Sequence, residues 1–547
     1  MSLFAVAAAA CACFLAAYVV YGRVLERWLD LSASRPTPAT TINDGVDYVP
    51  AKAPFLLGQH FSAIAAAGPI VGPILGALWF GWLPALLWIV FGAVLFGAVH
   101  DFLTLVSSVR HQGRSIVELV HEHLGPKAHL LFLGFVWLSL IYVIIAFTDL
   151  TSSSFVEPSF GGGVATSSLL YLFAAVAMGV CLYRWRMPLG LATLIFLPLV
   201  GLTIWLGQSA PLVIPESWPI RPQVAWNVMI LLYCFIASII PVWTLLQPRG
   251  YLGGFFLYVT LAAGILGLLL GGDRIQYPAF LGWTSQKGFP LFPMLFVTVA
   301  CGACSGFHGI VSSGTTSKQI AKESDCRLIG YGGMLLEGVV AVIALSTVML
   351  LAPSDPMAQQ SPDRIYAGGL AHFVGRFGSD ADFARAFALL AFATFIYDTL
   401  DVATRLARYV FQELVGWKGR WGSINATLAT LALPALSVSW TLHDAAGNVV
   451  PAWKVFWTLF GTSNQLLAAL TLLTITVWLK RTKRPWMVSA VPAAFMLVMT
   501  LWSLGLTLKA GGWIAGVALV LMALALLVLW EAVKVFSCAP ADRADGR

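Results

Sequence analysis

Charge is what this chain has least of. Asp, Glu, Lys and Arg make up 10% of its 547 residues, against about 25% in ordinary soluble domains. Apolar residues make up 59% and mean hydropathy is +0.84, which excludes water as the main solvent. The alternating segments of a membrane β-barrel are also missing. The expected fold class is therefore an all-α polytopic membrane protein, because a helix satisfies its own backbone where lipid cannot. The eight cysteines are scattered, mostly singly, through apolar stretches, without the paired spacing of a disulfide framework. The start of the chain, Met1-Ser2-Leu3-Phe4 and an Ala-rich run, lacks the basic region of a cleaved signal peptide and reads as a retained first span. The formal charge of +7 is not gathered into a patch: Lys and Arg sit in short loops, so nucleic acid is not an expected partner and topology explains the excess. No polar stretch is long enough for a separate soluble domain. Residues 22–53 and 353–383 are loops, and the tail after Lys534 is too short to fold alone.

What remains is a succession of apolar runs, near 3–21, 54–80, 83–108, 128–150, 168–185, 188–206, 224–247, 251–271, 290–313, 330–352, 384–408, 423–439, 455–479, 486–507 and 512–534. Read as spans of roughly 20 residues each, they number about fifteen; 168–185 and 423–439 are the thinnest. Most of the 32 Lys and Arg fall in the odd-numbered loops and the C-terminal tail, among them Arg110, Arg114, Lys318, Lys322, Arg408 and Lys480. Because cytoplasmic loops carry the Lys/Arg excess, the N-terminus is expected in the periplasm and the C-terminus in the cytoplasm.

Two spans are interrupted. The second holds Gly68-Pro69-Ile70-Val71-Gly72-Pro73 in mid-run, and the ninth reads Cys301-Gly302-Ala303-Cys304-Ser305-Gly306-Phe307-His308-Gly309, then Ser312-Ser313-Gly314-Thr315-Thr316. Glycine removes stiffness and proline removes a backbone donor, so both are expected to be broken or kinked. In the expected topology they run in opposite directions, the pattern of an inverted repeat. Half-helix ends at such breaks form transporter midplane sites, although Gly and Pro also serve close packing in membrane helices. The candidate repeats are about 54–206 and 290–479, with peripheral helices at 3–21, 224–271 and 486–534. Gly68, Pro69, Gly72, Pro73, Ser305, His308, Ser312, Ser313, Thr315 and Thr316 are the substrate-binding candidates there. Asn464 and Gln465 join them as side-chain amides at depth, with helix-to-helix hydrogen bonding as the alternative.

A charge at the bilayer centre costs at least roughly 2.5–3.5 kcal/mol on insertion scales, so each ionisable group inside a span needs a partner, water or a purpose. Asp398, Asp401 and Arg405 share one helical face, with Arg405 expected to neutralise one carboxylate and leave the other titratable. His100-Asp101 lies in the third span and Glu337 in the tenth. These six are the proton-coupling candidates, since a proton-coupled carrier needs a buried carboxylate that loads and unloads near neutrality; a structural ion network is the competing reading. Cys301 and Cys304 have CxxC spacing but no second ligand pair, so no metal and no cofactor are expected. Glu118, His121, Glu122 and His123 read as a solvated amphipathic face, metal sensing being the remote alternative.

Longer strings carry a resemblance. Asn43-Asp44-Gly45-Val46-Asp47-Tyr48-Val49-Pro50, Gly58-Gln59-His60-Phe61-Ser62-Ala63-Ile64-Ala65, GAVHDF (97–102), GRSIVEL (113–119), ACGACSGFHGIVSSGTTSKQ (300–319) and GTSNQLLAAL (461–470) make the chain similar to the carbon starvation protein A family over most of its length. His100 departs from the family pattern, which carries Gln before the Asp-Phe pair. The resemblance implies a secondary transporter of the bacterial inner membrane that takes up pyruvate, or peptides, during carbon limitation, by proton symport. It also implies kinship with transporters built from two inverted five-helix repeats; two extra helices, the seventh and eighth spans, would account for broken spans seven apart. Pyruvate, a small monoanion, suits a half-helix N-terminus with donors such as His308 or Ser312. A peptide also needs a carboxylate for its ammonium, which Asp398 could supply. A membrane enzyme would show a nucleophile and base or metal ligands near one face, and a nutrient sensor a signalling domain; neither stands out.

Overall fold

The computed structural model describes residues 2–45, 48–241, 244–378, 380–440, 442–443 and 449–538; Val46 and Asp47 of the 43–50 string lie outside them. The chain opens with α1 (Leu3–Leu29), α2 (Ala53–Ile64), α3 (Gly68–Phe80) and α4 (Trp82–Arg110). A short α5 (Ile116–Leu124) leads to α6 (Pro126–Phe155), α7 (Gly161–Tyr183), α8 (Leu189–Ser209), α9 (Pro222–Ile239) and α10 (Leu246–Leu270). Then come α11 (Leu291–Thr298), α12 (Gly306–Gly314), α13 (Arg327–Met349), α14 (Pro362–Gly375) and α15 (Ala381–Val415). The last four are α16 (Gly419–Ser439), α17 (Ala452–Arg481), α18 (Met487–Ala510) and α19 (Gly512–Cys538).

Among the described residues thirteen helices are long and apolar enough to cross a membrane, and the bent pair α2–α3 brings the number to fourteen. The runs 168–185 and 423–439, thin in sequence, fall on the full-length helices α7 and α16, the first running two residues past the end of α7. Burial sorts the bundle: α17 has 94% of its apolar window buried, whereas α1 and α19 bury 22% of theirs and face outward. Residues 224–271 are not peripheral. α10 packs against α2, α14 and α15, and its Arg249 is only 2% exposed.

The Gly-Pro run does not break the second span as expected. It is helical, and the interruption lies just before it, at Ala65–Ala67, where α2 and α3 meet at 49°. Pro69 stands in the first turn of α3, where an N–H would have no helical partner, so only Pro73 removes an internal bond. The glycines of α3 instead admit a neighbour. A Cβ at Gly68 would overlap Cys301, and at Gly72 it would meet the Thr298 carbonyl. The second interruption spans 299–305, between α11 and α12. Thus α3 lies with its small-residue face against the gap in the other broken element. α4 and α13 each contain one π-helical turn, Ala93–Gly97 and Arg327–Tyr331. Such turns free a carbonyl; here the Tyr331 hydroxyl donates to Val94 O at 3.2 Å.

Candidate functional site

Three helices converge on one buried ion network. Gly330 lets α13 approach the α4 backbone at Asp101-Phe102, and α12 packs against α4 as well. His100 Nδ1–H donates to Asp101 Oδ1 at 2.7 Å and His308 Nδ1–H donates to Oδ2 at 2.8 Å. His308 Nε2 then lies 3.1 Å from Glu337 Oε2, though without the alignment of a hydrogen bond. All four side chains are wholly buried. Proton accounting follows from the donor inventory. An ionised Asp101 only accepts, so both Nδ1 atoms carry protons. A further proton at this pair would sit either as imidazolium on His308 or as carboxylic acid on Glu337, two alternative sites on different helices 3.1 Å apart.

A second network ties α15 to α10. Arg249 Nε lies 3.2 Å from Asp398 Oδ1, and Arg249 Nη1 bonds Asp401 Oδ2 and the Tyr233 hydroxyl. Tyr233 itself donates to Asp401 Oδ2 at 2.7 Å. Asp398 and Asp401 do share a helical face, but Arg405 does not pair with them. Its Nη2 donates to the carbonyls of Ala237 and Ile240 at 2.6 and 2.5 Å, the end of α9 offering carbonyls that no helical N–H takes up. The neutralising cation is Arg249, hidden in sequence because Gln247-Pro248-Arg249-Gly250 reads as a charged loop between two apolar runs.

The remaining candidates divide. Asn464 Oδ1 accepts from the Phe307 N–H at 2.9 Å, and its amide donates to Ser305 Oγ at 3.0 Å; Gln465 donates to the Phe296 carbonyl at 2.9 Å. Asn464 thereby caps the N-terminus of α12, and both amides stitch α17 to the broken element. Ser313 Oγ donates to Gly309 O and accepts from Ile116 N–H, which ties α12 to α5. Thr315 bonds back to Val311 O. Thr316 Oγ1 lies 2.9 Å from His60 Nδ1, which links α2 to the stretch after α12. Ser312 is fully buried with its hydroxyl unpartnered.

Two further polar clusters went unread in the sequence. Asp149 accepts from Gln223, Asn227 and the Trp453 N–H, capping α17 from α6. Glu323 accepts from Arg110 Nε at 2.8 Å, Arg35 Nη1 at 2.6 Å and Ser32 N–H at 3.0 Å. Burial alone would raise the Glu323 carboxyl; the two guanidinium groups outweigh it and hold it below the ordinary carboxylate range. Neither Asp149 nor Glu323 sits in a motif, and their partners lie far away in sequence.

A cavity of about 1890 Å³ opens between α2, α5, α12 and α15. Its wall includes Gln59, Gly314 and Arg405, and it adjoins Arg249 through Pro248 and Tyr251. Among the described residues cations outnumber carboxylates along it: Lys52, Arg114, Lys318 and Arg405 against Glu118 and Glu413. Both carboxylates are engaged, Glu118 with the Ser115 N–H and Glu413 with His129.

Paired ionisable groups inside an apolar helix bundle, beside two interrupted helices and an open cavity, are what a multi-pass membrane transporter needs. The family model described as "Carbon starvation protein CstA" matches residues 1–368 and 354–503. The chain belongs to this family. It is 34% identical over 572 residues to the peptide transporter CstA of Escherichia coli (strain K12), covering 91% of this chain and 80% of that protein. It is 32% identical to the pyruvate/proton symporter BtsT of the same organism, covering 90% of this chain and 80% of the relative. For the peptide transporter CstA of Bacillus subtilis (strain 168) the figures are 32% identity and 89% and 87% coverage. Among solved structures, MhsT in complex with L-phenylalanine matches with a TM-score of 0.47 and 13% identity, over 88% of this chain and 99% of that one.

Proposed function

We propose that this protein imports pyruvate across the bacterial inner membrane by proton symport, as part of the response to carbon starvation. The observation that carries the coupling is the approach of His308 Nε2 and Glu337 Oε2, 3.1 Å apart on different helices, as alternative holders of one proton. A proton with two acceptors on different helices can leave when those helices separate, which is what alternating access requires. The relative named a pyruvate/proton symporter supports the substrate and the ion together.

The peptide reading comes from the relatives named peptide transporters. It needs a carboxylate open to the cavity for the peptide ammonium. Asp398, the intramembrane candidate for that task, is held by Arg249, and the described residues of the cavity wall carry a cationic excess. Both favour a small monoanion.

The moving parts are two five-helix repeats. Packing supports α2–α3, α4, α6, α9 and α10 as one, and α11–α12, α13, α15, α16 and α17 as its counterpart, with α7–α8 inserted. The long helices α6 and α15 cross each other, and each touches both α9 and α16. The π-turns recur in α4 and α13, the second members. This moves 222–270 into the first repeat and makes α7 and α8, not the seventh and eighth spans, the extra pair. With the N-terminus periplasmic and the C-terminus cytoplasmic, the cavity faces the cytoplasm.

The test is uptake of labelled pyruvate into proteoliposomes, with and without an inward proton gradient and with unlabelled dipeptide as competitor. Gradient-driven accumulation that dipeptide does not reduce is the expected result. Absence of pyruvate uptake with accumulation of labelled dipeptide would transfer the proposal to peptides.

A further inference from the structure

At the elbow between α4 and α5 a second group of ligating atoms lies apart from both ion networks. His111 ends α4. The next two residues, Gln112 (φ 61°) and Gly113 (φ 71°), take left-handed backbone and turn the chain back, so α5 returns alongside and presents Glu122 and His123 to His111. His111 Nδ1–H donates to Ser107 O at 2.6 Å, which fixes the ring and leaves Nε2 pointing outward. His123 Nε2 lies 3.2 Å from it and Glu122 Oε1 3.9 Å, the three ligand atoms all falling within 4.8 Å of one another. Two nitrogens bound about 2.0–2.1 Å from a tetrahedral zinc ion stand about 3.3 Å apart, so the imidazoles already have the separation that the ion demands. Two imidazoles and a carboxylate form a borderline-soft donor set that suits a divalent transition metal better than Mg²⁺ or Ca²⁺.

We propose that His111, Glu122 and His123 bind a zinc-class divalent ion that restrains the elbow between α4 and α5. The ion enters between the two facing Nε2 atoms, and the hydrogen bond from His111 to Ser107 is the outer partner that orients a metal-binding imidazole. Two cations oppose it: Arg114 Nη1 donates to Glu122 Oε2 at 3.1 Å, and Arg481 Nη1 lies 3.5 Å from His123 Nδ1. Arg481 favours the His123 tautomer with its proton on Nε2, so loading the metal moves that proton to Nδ1 against the guanidinium. The consequence reaches the cavity. Ile116, Val117 and Glu118 of α5 line it, and the elbow is clipped to α12 by Ile116 N–H to Ser313 Oγ and Ser108 Oγ–H to Ser313 O. A metal that ties α5 to the end of α4 stiffens one cavity wall at its junction with a broken helix.

The experiment is equilibrium Zn²⁺ binding to the full chain in lipid nanodiscs, carrying no polyhistidine tag, with Co²⁺ absorption as a second reading of tetrahedral geometry. One equivalent is expected to bind. His111→Ala and His123→Ala should each weaken it by more than the roughly 10–100-fold that loss of an outer partner costs. Glu122→Gln, at an exposed position, weakens it without endangering the fold, and Arg481→Gln tightens it by removing the competing charge. No saturable equivalent in the wild type, or binding that survives both histidine changes, overturns the site. Binding with unchanged substrate uptake in liposomes overturns the restraint.

Discussion

Arg249 and Asp398 meet across the bundle, Nε to Oδ1 at 3.2 Å, while the same guanidinium also holds Asp401. One cation thus stands between two carboxylates, all three buried, and Arg249 lies over the rings of Tyr233 and Tyr397 at 5.5 and 5.2 Å. Breaking a buried pair from one side leaves an uncompensated charge, which costs roughly 3–5 kcal/mol. Arg249→Met should therefore lower thermal stability of the detergent-purified protein strongly, and adding Asp398→Asn with Asp401→Asn should restore most of it. If Arg249→Met alone melts like the wild type, the guanidinium does not hold α10 to α15.

The approach of His308 and Glu337 allows coupling to be separated from binding. Glu337→Gln keeps the shape but removes a carboxylate that can give up a proton. Exchange of labelled pyruvate across proteoliposomes at equal pH should persist, while gradient-driven accumulation disappears. Asp398→Asn is the matched control: its carboxylate is paired with a fixed cation, so accumulation should survive better than in Glu337→Gln. Full accumulation by Glu337→Gln at normal expression would remove Glu337 from the coupling step.

Much of the fold was legible because lipid imposes a simple rule. Apolar length marked the helices, and every long helix of the structure coincides with an apolar run read in the sequence. The interrupted spans were legible too, since Gly and Pro cluster there, but the break at Ala65–Ala67 was displaced from the Gly-Pro run because proline is harmless in a first helical turn. Residue pairing was not legible. Asp398, Asp401 and Arg405 share a helical face, yet the partner of both carboxylates comes from α10, some 150 positions earlier, and helical periodicity carries no information about a neighbouring helix. His111 carries no sequence signal for the same reason: the left-handed turn at Gln112 and Gly113, rather than any spacing motif, brings it to His123.

Gly461 tests the packing of α17 against the first half of the second broken element. A Cβ there would overlap the Val297 carbonyl, and backbone cannot yield as a flexible side chain does. Overpacking of this kind costs typically about 1–3 kcal/mol. Gly461→Ala should lower the melting temperature, whereas Gly505→Ala on α18, where nothing lies near the added carbon and alanine favours the helix, should not lower it. Equal melting of the two variants would mean that α17 does not press on α11 this closely.

Glu323 gives stability a pH signature of known sign. Arg110 and Arg35 overcome the effect of burial and hold its folded-state carboxyl below the ordinary range, whereas in the unfolded chain it titrates near about 4.3. A depressed carboxylate contributes stability that is complete above the unfolded value and is lost as pH falls through the folded one. Glu323→Gln should therefore melt below the wild type by a constant margin from neutral pH down to about 5, and the margin should shrink on further acidification as the wild type loses its own carboxylate. The variant also leaves two guanidinium groups facing an amide that cannot answer their charge, so the deficit at neutral pH belongs to the ion cluster rather than to lost packing volume. A margin that stays constant from pH 7 to well below the unfolded value would show that Glu323 acts through shape alone, and that the clamp between the 30–35 loop and the end of α4 is not electrostatic.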